Sequence, residues 1–208
     1  MCSSDLMNRP NYIGEIKNRI MSEKVGAVFV AADFADITDK TIANVILTRL
    51  ASEKIIRRVL RGVYDKPEYN DFLKEFVAPI PDNVARAIAR NFGWTIVPCG
   101  DTALNLLGLS TQVPATWVYV SDGTYKEYSF DNTVIQFKRT TNKEVSKLSY
   151  KTALTIQALK ALGKDKIDES VINNLRKLLT AEEKTAMLHE AKTATSWIYE
   201  YIRQICRS

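Results

Sequence analysis

The sequence predicts an α+β protein, and three observations carry that expectation. Between Tyr12 and Tyr64, helix-like and strand-like runs alternate at short intervals and end on a tight turn. Between residues 95 and 140, four short strand-like runs are separated by turn residues. Beyond Asn142 the pattern is helical alone. The 208 residues are 46% hydrophobic and 25% charged, which supports a real core and excludes general disorder.

In the first part, Ile13, Ile16, Ile20 and Met21 recur at helical spacing, which predicts a helix from Tyr12 to Lys24 that stops at Gly26. Val28 to Val30 makes a strand-like stub. Ala31 to Ile37 has room for two helical turns. Thr38 or Asp39 then caps a longer helix through Glu53, with Ile42, Ile46 and Leu50 as its buried stripe. Ile55 to Arg61 reads as a strand, Gly62 as a tight turn, and Val63-Tyr64 as a second strand. Helix, stub, short helix, long helix, strand, turn, strand is the order of a winged helix-turn-helix, placed at residues 11–66.

Residues 67–83 contain Pro67, Pro79 and Pro81 and read as a tethered connector. Residues 84–208 form the expected second domain. It opens with a helix from Val84 to Phe92, followed by a small antiparallel sheet over 95–140 and C-terminal helices over 148–206. Asp101 is expected to cap a short helix. Asp122-Gly123 is a strong hairpin signal, and Asp131-Asn132 marks another turn. Thr180 with Glu183 forms a capping box for one last helix reaching Cys206. Residues 1–10 read as a disordered leader, with Met7 as the expected start.

Several function classes are set aside. The longest apolar runs, such as Val25 to Val30, fall far short of the ~20 residues a membrane helix needs, and the start lacks a secretory signal. Cys2, Cys99 and Cys206 are odd in number and far apart, so no disulfide framework or zinc cluster is written here, and a cytoplasmic location is expected. No Walker or dinucleotide fingerprint occurs. Cys99 has no base nearby in sequence, and His189, the one histidine, reads as a solvated residue on the last helix. No enzyme activity, cofactor or metal is expected.

Net charge is +5, but positive charge gathers in Arg49, Lys54, Arg57, Arg58, Arg61 and Lys66, against only Glu53 and Asp65. At 100° per residue, Lys40, Asn44 and Thr48 lie opposite Ile42, Ile46 and Leu50, with Thr41 and Ser52 beside them. Small polar residues and a lysine near a helix start are what a major-groove reading helix presents. Arg57, Arg58 and Arg61 lead into the Gly62 turn, where a wing runs along a DNA backbone or minor groove. Alternation places Arg57 and Arg61 on one face and Arg58 on the other, so the three do not share one job. Arg49 falls between faces, suited to a phosphate or an internal ion pair, and Tyr64 reads as core. The band Trp197, Ile198, Tyr201, Ile202 and Ile205 reads as core or as a dimer or partner surface.

The segment Arg57-Arg58-Val59-Leu60-Arg61-Gly62-Val63-Tyr64 resembles the wing of AbiEi-type antitoxins and related winged-helix transcriptional regulators. Gly100 to Pro114, with Ala103, Asn105, Leu107-Gly108-Leu109-Ser110 and Gln112-Val113-Pro114, is similar to the start of that family's second domain, as is Val118 to Arg139, running on into Thr140-Thr141. The resemblance covers Ile13 to Leu162. It implies an antitoxin of a type IV toxin–antitoxin pair, linked to phage defence. Such a protein binds double-stranded DNA at inverted repeats in its own promoter, represses its operon, and counteracts a nucleotidyltransferase-like toxin without a stable complex. It also implies that Lys40, Thr41, Asn44 and Thr48 read the groove and that Arg57, Arg58 and Arg61 hold the backbone. A homodimer on DNA fits an inverted repeat. The alternative is a stand-alone regulator, or a protein-interaction module, with no toxin partner.

Overall fold

The computed structural model describes residues 11–140 and 147–207. The expected leader, with Cys2 and Met7, and Thr141 of the resembling segment lie outside the described residues. The fold is α+β, and the chain divides into two compact units, Met1–Gly93 and Trp94–Ser208.

In the first unit, α1 (Tyr12–Ser22) buries Ile16 and Ile20. β1 (Val28–Val30) leads into a 3₁₀ turn, Ala31–Phe34, shorter than the two helical turns expected, which sinks Phe34 fully into the core. Asp39 caps α2 (Lys40–Ser52): its Oδ1 accepts from the backbone of Thr41 at 2.8 Å and of Ile42 at 3.1 Å. β2 (Arg57–Leu60) and β3 (Val63–Asp65) follow, joined through Gly62, whose φ of +78° suits glycine. The sheet order is β1-β3-β2, antiparallel throughout, with a register shift between Arg58 and Leu60.

The boundary of this unit differs from the sequence expectation. Residues 67–83 are not a plain connector. They contain a hairpin of β4 (Tyr69–Asn70) and β5 (Glu75–Phe76), turned by Asn70, whose Oδ1 accepts from the backbone of Phe72 and Leu73. Next, α3 (Pro81–Phe92) packs on β1, β3 and the 3₁₀ turn instead of opening the second domain. Arg90 fastens it there, with Nε on Asp33 Oδ1 at 2.7 Å and an η-nitrogen on Val28 O at 3.0 Å. The decisive contacts are long-range, and no local signal near residue 83 records them.

The second unit starts with β6 (Ile96–Pro98) and α4 (Asp101–Leu106), which follows Gly100 at φ +58° with no side-chain cap, so Asp101 is its first residue and not its cap. β7 (Thr116–Ser121), β8 (Lys126–Phe130) and β9 (Thr133–Arg139) complete a sheet ordered β6-β7-β9-β8. The sheet is therefore mixed, not antiparallel throughout: β7 and β9 run parallel, and β9 separates β7 from β8. Asp122-Gly123 consequently closes no hairpin. Asp122 Oδ1 accepts from Thr95 N at 2.9 Å and Gly123 N donates to Ser121 Oγ at 3.0 Å, which ties the turn to the start of β6. Ile135 and Phe137 of β9 are fully buried, while β8 carries Lys126, Glu127 and Ser129, so the apolar strand takes the inner place and the polar one the edge.

Among the described residues four helices follow: α5 (Tyr150–Leu162), α6 (Glu169–Lys177), α7 (Ala181–Glu190) and α8 (Ser196–Cys206). α5 buries every residue from 152 to 159 and is the axis of this core. The Thr180/Glu183 capping box is present. The single last helix expected up to Cys206 is instead broken by a 3₁₀ turn, Ala191–Thr193, before α8. The break lets Met187 of α7 and Ile198, Ile202 and Ile205 of α8 enter one core, where each is at most 1% exposed. Of the apolar band of α8, Ile198, Ile202 and Ile205 are core, and Trp197 and Tyr201 pack against it partly buried. Among the described residues no helix is long and apolar enough to cross a membrane.

Candidate nucleic-acid interface

α2 lies in the first unit with Ala43, Ile46, Leu47 and Leu50 buried. This rotates the helix from the position inferred from sequence. Ile42 is 39% exposed and Val45 65% exposed, so the solvent face centres on Thr41, Val45, Thr48 and Ser52, flanked by Ile42 and Arg49 on one side and Asn44 on the other. Ala43 and Leu47 are buried in one cluster with Phe34 of the 3₁₀ turn and Ile16 and Ile20 of α1, a stripe that leaves Ile42 out.

The polar side chains of this face are held differently from one another. Lys40, expected to reach the groove, donates Nζ to Asn91 O at the end of α3, 2.9 Å away. Arg49 pairs with Glu53 at 2.9 Å. Thr48 Oγ1 donates to Asn44 O at 2.8 Å and meets Tyr64 OH at 3.0 Å, which joins α2 to β3. Ser52 Oγ turns back to Thr48 O at 3.0 Å. Thr41 is exposed, Asn44 is half-buried, and neither side chain has a partner among the described residues.

The three arginines separate into two kinds. Arg57 is structural: its Nε donates to Asp65 Oδ1 at 3.0 Å, its η-nitrogen donates to Val77 O at 2.9 Å, and Asp65 is 1% exposed. The cross-strand register of Arg57 with Asp65 creates this pair, so Arg57 is engaged within the unit, unlike Arg58 and Arg61. Arg58 and Arg61 are exposed and unpaired among the described residues. Arg58 stands opposite Tyr64 in the sheet, and Tyr64 touches Thr48, so the structure brings β2 and the polar part of α2 together in one unit. Lys66 donates to Met21 O and Glu23 O. Of the basic cluster read from sequence, Lys54, Arg58 and Arg61 thus remain open to solvent.

Sequence reasoning missed Val45 and treated Ile42 as core. The available signal was the alternative row Ala43, Ile46, Leu47, Leu50, which is the wider apolar stripe of a globular helix.

Elsewhere, burial pushes the Cys99 thiol up, against a smaller opposing pull from Lys138, so it is held protonated near neutrality. His189 is exposed on α7, as read from sequence, and its neighbour Glu190 caps α5 by accepting from Ser149 N and Ser149 Oγ. Among the described residues, no group of three His, Cys, Asp or Glu stands close enough to hold a metal ion.

The model of the DUF6088 family, described as a family of unknown function, matches residues 15–187, from within α1 to within α7. The chain belongs to the DUF6088 family. The match takes in both compact units, so α2, the β2–β3 turn and the mixed sheet of this DUF6088 chain all lie inside it. No curated protein matches the chain.

Proposed function

We propose that this DUF6088 chain is a sequence-reading, double-stranded DNA-binding protein whose first unit works as a winged helix-turn-helix. The observation that carries the reading is the pairing, within one unit, of the open face of α2 with two uncommitted arginines, Arg58 and Arg61, at the β2–β3 turn. The element order α1, β1, 3₁₀ turn, α2, β2, β3 and the sheet order β1-β3-β2 support it. α2 presents its first turns to the groove, and the β2–β3 turn is the wing whose arginines meet phosphate.

The wider role proposed is that of a type IV antitoxin that represses its own operon at inverted repeats and counteracts a nucleotidyltransferase-like toxin. Its support is the resemblance of the wing segment and of Gly100 to Pro114 to AbiEi-type proteins. Fluorescence anisotropy of the full chain on a duplex of its own upstream region, beside a scrambled duplex at physiological salt, tests the first part. A preference of about 10³-fold or more is expected of a specific reader, and equal affinity for both duplexes overturns it. Co-expression with the neighbouring gene product tests the second: rescue of growth is expected, and no rescue overturns it.

A second reading, a protein-interaction module, is favoured by one feature: the β4–β5 hairpin exposes Tyr69, Phe72, Leu73 and Phe76, Phe72 at 92%. Tight association with a protein and no DNA affinity above a charge-matched control would select it.

A further inference from the structure

We infer that the open face of α2 selects thymine by its C5-methyl group, so that the duplexes bound by this chain are centred on A·T pairs; this rests on the DNA-binding reading above. Every charged group on the helix suited to a G·C pair is already engaged. Guanine asks for an Arg or Lys on O6 and N7, and cytosine for a carboxylate on N4. Along residues 39–53 the cations are Lys40, bonded to Asn91 O, and Arg49, paired with Glu53. The carboxylates are Glu53, held by Arg49, and Asp39, which caps the helix through Thr41 N and Ile42 N.

What remains open is the complement of A·T. Asn44 carries an amide without a partner among the described residues, the group that bonds adenine N6 and N7 in pairs. Val45 is 65% exposed and Ile42 39% exposed, both β-branched and methyl-bearing, beside the exposed Thr41. Thr48 has its hydroxyl on Asn44 O and Tyr64 OH, which leaves a methyl as its free group. At 100° per residue Thr41, Val45 and Thr48 fall within one narrow sector of α2, with Ile42 and Asn44 on its two flanks. Methyl groups in that sector meet thymine methyls in the major groove, and each such meeting removes apolar surface from water.

The test uses the full chain. Duplexes are selected by the protein from a randomised pool at physiological salt, sequenced, and resynthesised with deoxyuridine in place of thymidine, which removes only the methyl. Expected are A·T pairs at the centre of each half-site and affinity about fourfold weaker for each methyl removed from the interface, the ratio that about 0.8 kcal/mol corresponds to. Val45→Ala, at an exposed position, should abolish most of the thymine-to-uracil difference while the Tm stays unchanged. Selected sites centred on G·C, or equal affinity with uracil, overturn the thymine inference and leave DNA binding standing. A pool with no enrichment overturns both.

Discussion

Arg57 and Asp65 form the ion pair that closes the β2–β3 strand pair, with Nε 3.0 Å from Oδ1 and the carboxylate 1% exposed. The same guanidinium holds Val77 O, so one side chain ties the sheet to the segment after the β4–β5 hairpin. Removing it strands a buried carboxylate. Arg57→Ala should therefore lower stability by about 2–3 kcal/mol in urea denaturation. Arg58→Ala, one residue on and exposed, should stay within about 0.5 kcal/mol of the parent. Equal costs would mean that the pair contributes no more than a surface contact.

The DNA readout should divide the other way. Arg58→Ala and Arg61→Ala should each weaken binding to every duplex and reduce the slope of log K against log salt by about 1, with unchanged melting. An unchanged slope in both variants would remove the β2–β3 turn from the DNA interface.

Asn44→Ala should act on sequence preference instead of salt dependence. Deleting an amide that bonds adenine in bidentate fashion costs on the order of 1–3 kcal/mol on the preferred duplex and little on a scrambled one. Anisotropy on the two duplexes measures it, and parallel weakening on both would assign Asn44 to the DNA backbone.

Gly123 lies against the Trp94 ring: a Cβ at this position would fall 2.3 Å from the ring carbons. The ring has little freedom to retreat, because Phe137 meets it edge-on at 5.7 Å and Lys126 Nζ sits over it at 5.9 Å. Gly123→Ala should cost about 1–3 kcal/mol through overpacking. In a Trp94→Ala background the same change should cost little, and a full cost there would place the strain in the backbone.

Glu190 gives the second unit a mild acid sensitivity. Burial pushes its carboxyl up, but hydrogen bonds from Thr152 and Ser149 and the neighbouring His189 outweigh that and hold it below the ordinary glutamate value. A carboxyl lowered on folding stabilises above its unfolded pKa and loses that contribution as pH falls through the folded one. Glu190→Gln should thus melt below the parent at neutral pH, by the fraction of a kcal/mol of a solvent-screened cap. The difference should close as pH drops through and below roughly 4.3. A gap that persists at acid pH would mean that the charge of Glu190 carries none of it.

Much of the first unit was legible from residues alone, because its signals are local. The Asp39 cap, the glycine turn at 62 and the helical spacing of Ile16 and Ile20 each act within a few residues, and each sits where the pattern places it. The capping box of Thr180 and Glu183 is the same kind of signal. The candidate site was legible only in part: the residues of α2 and β2 stand out by type and spacing, but which of their groups are open and which engaged does not.

By itself, then, the sequence determined the α+β class, the locally capped helix starts at Asp39 and Thr180, and the elements that carry the open polar groups. Only the tertiary structure decided which way α2 is rotated, exposing Val45 and burying Ala43, and which arginine is spent on Asp65. It also decided that β9 enters between β7 and β8, and that α3 belongs to the first unit. Each of these turns on contacts between residues distant in sequence. A strand's partner and a helix's rotation are set by which packing buries the most apolar surface with every polar group paired, a competition that no short window of sequence contains.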